Sequence, residues 1–203
     1  MCKNILAIDC SLKLTGVAIS QDKKILAQYQ SELGKNQAFE LPFIVENLLK
    51  NSGLNWNNID YISITKGPGY FTGLRVAAAY ASALAYALGV KIIPVSTLDV
   101  LSRSFLCNDD FLTLVYAGHG YVYAKSRNLN EGEYSHNDIF NFLDTNKNVK
   151  FIISDYPEKL NINLEIIKVI PDLKSLCEIA SVSDFYVKAD DLKISYYRAP
   201  QGV

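Results

Sequence analysis

A glycine-rich stretch, TKGPGYFTGLR at residues 65–75, has the composition of a loop that binds phosphate at the start of a helix. The known templates do not fit it, because five residues separate Gly67 from Gly73 and no lysine follows. Glycine supplies positive φ and proline fixes its own φ. The stretch is therefore interpreted as a tight strand-to-helix turn, with a phosphate cradle as the alternative.

Nucleophilic and metal-binding side chains are few and dispersed. The cysteines are Cys2, Cys10, Cys107 and Cys177, and the histidines are His119 and His136. A catalytic cysteine needs a base beside it, and zinc or iron sites use ligands clustered at fixed spacing. The chain has no CxxC or HxxxH pair, so we expect no thiol catalysis, no metal site and no cofactor. His119 is predicted to lie in a turn, and His136 at a helix start.

Composition is typical of a globular cytoplasmic protein. The chain has 203 residues, 49% of them hydrophobic, enough for one large domain or two small ones. Its net charge of −1 argues against a dedicated nucleic-acid surface, which carries a clustered basic excess, and leaves a weak or shared one open. No apolar run approaches the roughly 20 residues of a membrane helix. The start, MCKNILAIDCS, is interpreted as a strand rather than a signal peptide, and the dispersed cysteines as reduced thiols.

Hydrophobic periodicity predicts the elements that would position these residues. In the first half, strands are predicted at 4–9, 15–20, 24–30, 60–65 and 90–95, and helices at 39–51 and 72–88. In the second half, strands are predicted at 111–117, 121–127, 150–154 and 165–170, and helices at 137–145 and 172–181. The halves share one plan, which predicts an α/β fold with a lobe at 1–103 and a smaller lobe at 104–203.

The two helices of the first half have unusual outer faces. A surface helix normally turns charged residues to solvent. The outer face of helix 72–88 carries Arg75, Ala79, Ser82, Ala83 and Tyr86. The outer face of helix 39–51 carries Phe39, Phe43, Glu46 and Lys50. Burying one phenylalanine is worth roughly 1.5–3 kcal/mol, so these faces predict a surface for a partner protein. The alternative is that the faces are rotated or that the C-terminal tail covers them.

Three segments carry a resemblance to a known family. ILAIDCSLKLTGVAIS, GPGYFTGLRVAAAYASALAYALGVKIIPVSTLDVLS and ISYYR are similar to TsaB, also called YeaZ. TsaB is the small partner of TsaD in making threonylcarbamoyladenosine on tRNA. The match is close over 4–20 and 60–102, thin over 104–190, and returns at 196–198. The resemblance implies an actin-like, sugar-kinase-like fold with two ribonuclease-H-like lobes and mixed sheets.

The resemblance also implies a function and partners. Family members use the two outer helix faces to form a homodimer when alone, and TsaD competes for the same surface. TsaD carries a metal-binding histidine pair and performs the transfer, and this chain has no such pair. The resemblance therefore implies a non-catalytic accessory subunit that binds a TsaD-like subunit through a helical bundle. It would also help to recruit a TsaE-like ATPase and, indirectly, tRNA, with no membrane contact.

The sequence departs from the family pattern in two places. Asn36-Gln37 stands where a His-Ser pair is usual, and Tyr116-Ala117-Gly118 where an Asp-Ala-Arg run is usual. Actin-like folds hold phosphates between two hairpin turns, and here Asp9, Ser11 and Gly16 are suitable residues in the first turn. The second turn has no acid, so we expect weak nucleotide binding at most and no hydrolysis. Asp9 is equally interpreted as a cap of its own hairpin.

Two other functions remain as alternatives to the accessory subunit. One is a small-molecule kinase or ATPase of the actin-like fold, and the other is a self-standing homodimer with a structural role.

Overall fold

The computed structural model describes residues 3–105 and 107–195, and it divides them into two compact units. The first unit combines the residues up to Thr97 with Asp172–Ser195, and the second contains Leu98–Pro171. The sequence predicted one division, between residues 103 and 104, with all that follows in the second lobe. The structure differs because Asp172–Ser195 supplies a helix and an extended segment that complete the first unit.

The first unit is built on a mixed five-stranded sheet. Its strands are β1 (Asn4–Asp9), β2 (Thr15–Gln21), β3 (Lys24–Ser31), β4 (Tyr61–Thr65) and β5 (Lys91–Val95), in the order β3-β2-β1-β4-β5. The first three strands form an antiparallel meander, and β4 and β5 run parallel to β1. The helices of the described chain are α1 (Gln37–Ser52), α2 (Phe71–Leu88), α3 (Thr97–Ser104), α4 (His136–Thr145) and α5 (Leu173–Val182).

The central strand β1 is buried on both faces. Side chains alternate between the two faces of a strand. Leu6 and Ile8 belong to the core cluster formed with α1 and α2. Ile5 and Ala7, which are also fully buried, point to the opposite face, where α5 packs on the sheet. The nearly unbroken apolar run of β1 follows from this double covering.

The second unit repeats the strand order of the first. Its strands are β6 (Phe111–Gly118), β7 (Tyr121–Ser126), β8 (Leu129–Ser135), β9 (Phe151–Ser154) and β10 (Ile166–Lys168), in the order β10-β9-β6-β7-β8. As in the first unit, three strands form an antiparallel meander and two more run parallel to its first strand. The prediction of two lobes with one plan and mixed sheets is confirmed.

The sequence missed two elements, α3 and β8. Helix α3 has few apolar residues, but Leu98 and Leu101 lie three apart and are fully buried, which is a helical spacing. Strand β8, with the sequence LNEGEYS, has a glycine and two glutamates and therefore lacks an apolar alternation. Both elements are defined by the core that they pack against rather than by their own pattern.

Helix α2 ends as predicted at Gly89, whose φ of 68° places it in the left-handed region. By length and composition, α2 is also the one described helix that could cross a membrane, with a mean hydropathy of 1.2. Alanine and leucine supply most of this hydropathy. The helices of globular cores pass the same test, and Ala77 and Ala81 are fully buried in the first unit.

The packing of α5 on the first unit predicts the effect of a core substitution. Leu176 is fully buried, so Leu176→Ala should lower the free energy of unfolding by about 2–5 kcal/mol. The single tryptophan, Trp56, packs against the core of the first unit, so its fluorescence during urea unfolding reports on that unit. Val182→Ala is the matched control, because Val182 lies on the same helix and is 65% exposed. Equal unfolding midpoints for the two variants would contradict this assignment of α5.

Candidate functional site

The glycine-rich turn between β4 and α2 is packed against the connection from β1 to β2. A Cβ atom at Gly69 would overlap the carbonyl oxygen of Ser11, and one at Gly73 would overlap that of Cys10. The backbone amide of Tyr70 donates a hydrogen bond to the Ser11 carbonyl at 2.6 Å. Backbone carbonyls of the protein therefore lie against the start of α2, where a bound phosphate would have to approach. The geometry supports the turn over the phosphate cradle.

Asp9 is buried at the end of β1 and accepts several hydrogen bonds. Its Oδ1 accepts from the Ser11 amide at 2.9 Å, from the Ser11 hydroxyl at 2.6 Å and from the Thr65 hydroxyl at 2.6 Å. These contacts join the β1–β2 connection to the end of β4, immediately before the glycine-rich turn. Of the two interpretations of Asp9, this geometry supports the cap of its own hairpin.

The other two candidate nucleotide-binding residues lie beside Asp9. Ser11 is fully buried, and Gly16 pairs with Asp9 across the β1–β2 ladder. A Cβ atom at Gly16 would lie 2.8 Å from the Leu173 side chain of α5. The structure thus brings Asp9, Ser11 and Gly16 together, and each of them has contacts within the first unit. Nucleotide binding at this hairpin stays a prediction.

The surface formed by the outer faces of α1 and α2, here called the α1–α2 surface, exposes large apolar side chains. Phe39, Phe43 and Tyr86 are 69%, 52% and 79% exposed. The rings of Phe39 and Phe43 contact each other, with centroids 5.4 Å apart. Ala79 and Ala83 are exposed between Arg75 and Tyr86 on α2. The structure therefore places these predicted interface residues at solvent.

The charged residues of the α1–α2 surface have partners of their own. Glu46 and Lys50 form a salt bridge one turn apart on α1, at 2.9 Å. The Arg75 guanidinium lies over the Phe71 ring, 5.0 Å from its centroid. Burial, together with the nearby Glu46 carboxylate, raises the pKa of Tyr80 on α2 to about 12. The Glu46 carboxylate of α1 thus lies near Tyr80 of α2.

One predicted interface residue, Ser82, is partly covered by the chain itself. Its hydroxyl donates a hydrogen bond to the Ala189 carbonyl at 3.2 Å. Ala189 belongs to a segment that forms a β-bridge between Val187 and Ile92 of β5 and returns to Lys66 through the Ser195 amide. At Ser82, therefore, a C-terminal segment of the chain covers part of the outer face of α2, as the alternative interpretation expected. Residues 196–198, which carry part of the family resemblance, lie outside the described residues.

The described cysteines and histidines do not form a catalytic pair. Burial raises the pKa of the Cys10 thiol to about 12 and that of Cys177 to about 11, so both stay protonated near neutral pH. His119 lies in the β6–β7 turn with a φ of 53°, and His136 begins α4, both as predicted. Within residues 3–105 and 107–195, no group of three or more His, Cys, Asp or Glu side chains is placed to hold a metal ion.

One titratable residue of the second unit, Asp155, was not noticed in the sequence. Burial raises the pKa of its carboxyl to about 6, although the charge of Lys168 lowers it, and Oδ1 is buried without a hydrogen-bond partner among the described residues. A perturbed pKa marks candidates for functional sites. The only signal in the sequence is an acid directly after the apolar strand β9. The neighbouring charges that act on Asp155, Lys168 and Glu158, do not make a nucleophile–base pair with it.

Comparison with known protein families shows which family the chain belongs to. The family model for TsaD, described as tRNA N6-adenosine threonylcarbamoyltransferase, matches residues 26–170. The chain belongs to the TsaD family. Within that family it is similar to TsaB proteins, as the resemblance of the sequence indicated.

Two curated TsaB relatives are described as tRNA threonylcarbamoyladenosine biosynthesis proteins. The Bacillus subtilis TsaB is 32% identical over 121 residues, 59% of this chain and 53% of that protein. The TsaB of Buchnera aphidicola from Acyrthosiphon pisum is 34% identical over 139 residues, 64% of this chain and 62% of that protein. The matched region thus spans just over half to about three fifths of these TsaB relatives.

The fold class is confirmed by solved structures of the same architecture. YeaZ from Pseudomonas aeruginosa superposes with a TM-score of 0.76 at 20% identity, covering 96% of this chain and 99% of YeaZ. A second Pseudomonas aeruginosa protein, described as similar to peptidase YeaZ, gives a TM-score of 0.78 at 20% identity and covers 97% of this chain. At such identities the likeness concerns the fold, which has two mixed five-stranded sheets with helices.

The hydrogen bonds of Asp9 predict that its carboxylate supports the fold of the first unit. Asp9→Ala leaves three buried donors without their acceptor. The free energy of unfolding should therefore fall by at least about 1–3 kcal/mol, which is the cost of leaving one such donor without an acceptor. Trp56 fluorescence in urea measures the change. Asp144→Ala is the control, because Asp144 is an exposed carboxylate in a surface salt bridge with Lys147. This substitution should change the free energy of unfolding by less than about 1 kcal/mol. A normal unfolding midpoint for Asp9→Ala would contradict the structural role.

Proposed function

We propose that this chain is an accessory subunit of tRNA threonylcarbamoyladenosine biosynthesis that binds a TsaD-like catalytic subunit through the α1–α2 surface. The observation that carries the proposal is the exposure of Phe39, Phe43 and Tyr86 on neighbouring helices of a TsaD-family protein. Large apolar side chains grouped at solvent mark surfaces that bind another protein. The names of the TsaB relatives indicate the pathway, which is tRNA threonylcarbamoyladenosine biosynthesis.

The geometry of the surface suits a helical bundle. Each phenylalanine ring removed from water contributes roughly 1.5–3 kcal/mol, so a partner that covers both rings gains several kcal/mol. The exposed Ala79 and Ala83 lie one turn apart on α2. Their small side chains would let a partner helix approach at the short end of the 8–10 Å range of interaxial distances.

Charged side chains would define the register of the complex. Glu46 and Lys50 lie on the same helix as the phenylalanines and remain largely exposed while paired with each other. An exposed ion pair of this kind contributes little to affinity, but it disfavours a partner with charges in the wrong places. Arg75, over the Phe71 ring, has a similar position on α2.

Contacts inside the first unit support a non-catalytic role. Asp9 accepts hydrogen bonds from Ser11 and Thr65, and the start of α2 lies against the carbonyls of Cys10 and Ser11. The thiols of Cys10 and Cys177 are buried and protonated. We therefore assign the transfer of the threonylcarbamoyl group to the TsaD-like partner. In this proposal the chain forms a homodimer when alone, and its complex with the partner recruits a TsaE-like ATPase and tRNA.

Substitutions on the α1–α2 surface should prevent the complex. Phe43→Asp places a charge in the apolar interface, and Ala79→Arg places a bulky charge where helices approach, so each should weaken binding at least about a hundredfold, a loss of about 3 kcal/mol. The affinity for a TsaD-like subunit from the same organism is measured by isothermal titration calorimetry, and the complex is checked by size-exclusion chromatography.

The matched control is Phe140→Asp, an exposed phenylalanine of α4 in the second unit that is 39% exposed. This variant should bind like the wild type. Wild-type affinity in both Phe43→Asp and Ala79→Arg would show that the interface lies elsewhere. Circular dichroism of each variant separates loss of binding from loss of folding.

Reconstitution of the modification tests the pathway. Threonylcarbamoylation of a tRNA transcript by the TsaD-like and TsaE-like subunits, supplied with an activated threonylcarbamoyl donor, should need this chain. The Phe140→Asp variant should support the reaction, and the Phe43→Asp variant should not. Mass spectrometry of digested tRNA measures the modified adenosine. Full modification without the chain would contradict the proposal, and ATP turnover by the chain alone would favour a kinase or ATPase.

A further inference from the structure

A cleft of about 620 Å³ lies at the amino ends of β1, β4 and β5 in the first unit. It is at the opposite end of these strands from Asp9 and the glycine-rich turn. Its lining residues are Lys3, Ile59, Asp60, Tyr61, Gly89, Val90 and Lys91. Nothing in the α1–α2 surface or in the hairpin of Asp9 uses this cleft.

Two tyrosines and two lysines are interleaved at the cleft. The rings of Tyr61 and Tyr186 have centroids 6.1 Å apart and are tilted by 41°. Lys91 Nζ lies 3.8 Å from the centroid of Tyr186, and Lys3 Nζ lies 5.5 Å from that of Tyr61. Tyr186 is 43% exposed and Lys91 Nζ lies over its ring, so a base that stacks on this ring would take the place of the Lys91 ammonium.

The local charge of the cleft is positive. Lys3 donates hydrogen bonds to the carbonyl oxygens of Ser181 and Ser183, at 3.2 and 3.5 Å. Neither Lys3 nor Lys91 forms a salt bridge within the part of the chain that the structure describes, residues 3–105 and 107–195. The one acid of the lining, Asp60, accepts a hydrogen bond from the Asn4 amide at 2.8 Å. The lining therefore contains two lysines and one aspartate.

From this arrangement we infer that the cleft binds a single-stranded segment of nucleic acid. Surfaces that bind single strands combine cations for the phosphates with aromatic rings on which bases stack. Lys3 and Lys91 would contact phosphate oxygens, and the Tyr186 ring, from which Lys91 would move to a phosphate, would stack with an unpaired base. An acidic peptide would satisfy the lysines but would leave the aromatic surface without a matching group. This site is separate from the α1–α2 surface and does not rest on the proposed function.

Fluorescence anisotropy of the purified chain tests the inference. The probe is a labelled oligouridylate of about 12 nucleotides, within the range of about 4–16 that such surfaces cover. Binding should weaken as salt increases, because each neutralised phosphate releases counterions. Tyr186→Ala should weaken binding by about five- to a hundredfold, the range for loss of one base stack. Lys91→Gln should reduce the slope of log K against log salt by about 0.7.

The second unit offers a matched pair of control variants. Lys159 Nζ lies over the ring of Tyr156, 5.7 Å from its centroid, and Tyr156 is 38% exposed. Tyr156→Ala and Lys159→Gln should bind the probe like the wild type. Thermal unfolding of all four variants identifies any loss of binding that is caused by loss of folding, and Tyr186→Phe, which keeps the ring, should retain binding.

Three outcomes would overturn the inference. The wild type binds no oligouridylate at low salt; or the cleft variants bind as tightly as the controls; or a polyglutamate peptide displaces the probe from the wild type while Tyr186→Ala keeps full affinity, which indicates recognition of charge alone. None of these outcomes bears on the complex with a TsaD-like subunit, which is measured separately with Phe43→Asp.

Discussion

The first unit depends on the close approach of two backbone segments, the β1–β2 connection and the start of α2. This approach requires Gly69 and Gly73, because a Cβ atom at either position would overlap a carbonyl oxygen of Cys10 or Ser11. The Asp9 carboxylate stabilises the same junction through Ser11 and Thr65. A motif with the composition of a phosphate loop thus packs against the protein's own carbonyl groups.

This junction determines where α2, and with it the α1–α2 surface, lies. Helix α2 begins directly after the turn, its buried side packs on the sheet, and Glu46 of α1 lies close enough to raise the pKa of Tyr80. A helix fixed at its start and along one face presents a rigid outer face, and a rigid face loses little conformational entropy on binding. The two glycines that allow the close approach also fix the position of α2. Because α1 packs beside α2, they are linked to the position of the exposed Phe39 and Phe43.

Much of this fold could be predicted from the sequence, because apolar runs and glycine stops define β1, β4, α1 and α2 locally. The outer face of α1 followed from helical spacing alone. The return of residues 172–195 to the first unit could not be predicted, since it depends on which sheet face is left uncovered. The cleft at the amino ends of β1, β4 and β5 was missed for a related reason: Tyr61 and Tyr186, which meet beside it, are 125 positions apart in the chain and come together through the bridge of Val187 to β5.

The division of the first unit into two sequence segments has a consequence for synthesis of the chain. Translation completes β1 to β5, α1 and α2 well before α5, which covers the second face of their sheet, leaves the ribosome. Ile5, Ala7 and Gly16 therefore face water until Leu173 and Leu176 arrive. Nascent chains of this protein are expected to need shielding by a chaperone over that interval, and premature termination within the second unit should yield aggregating fragments.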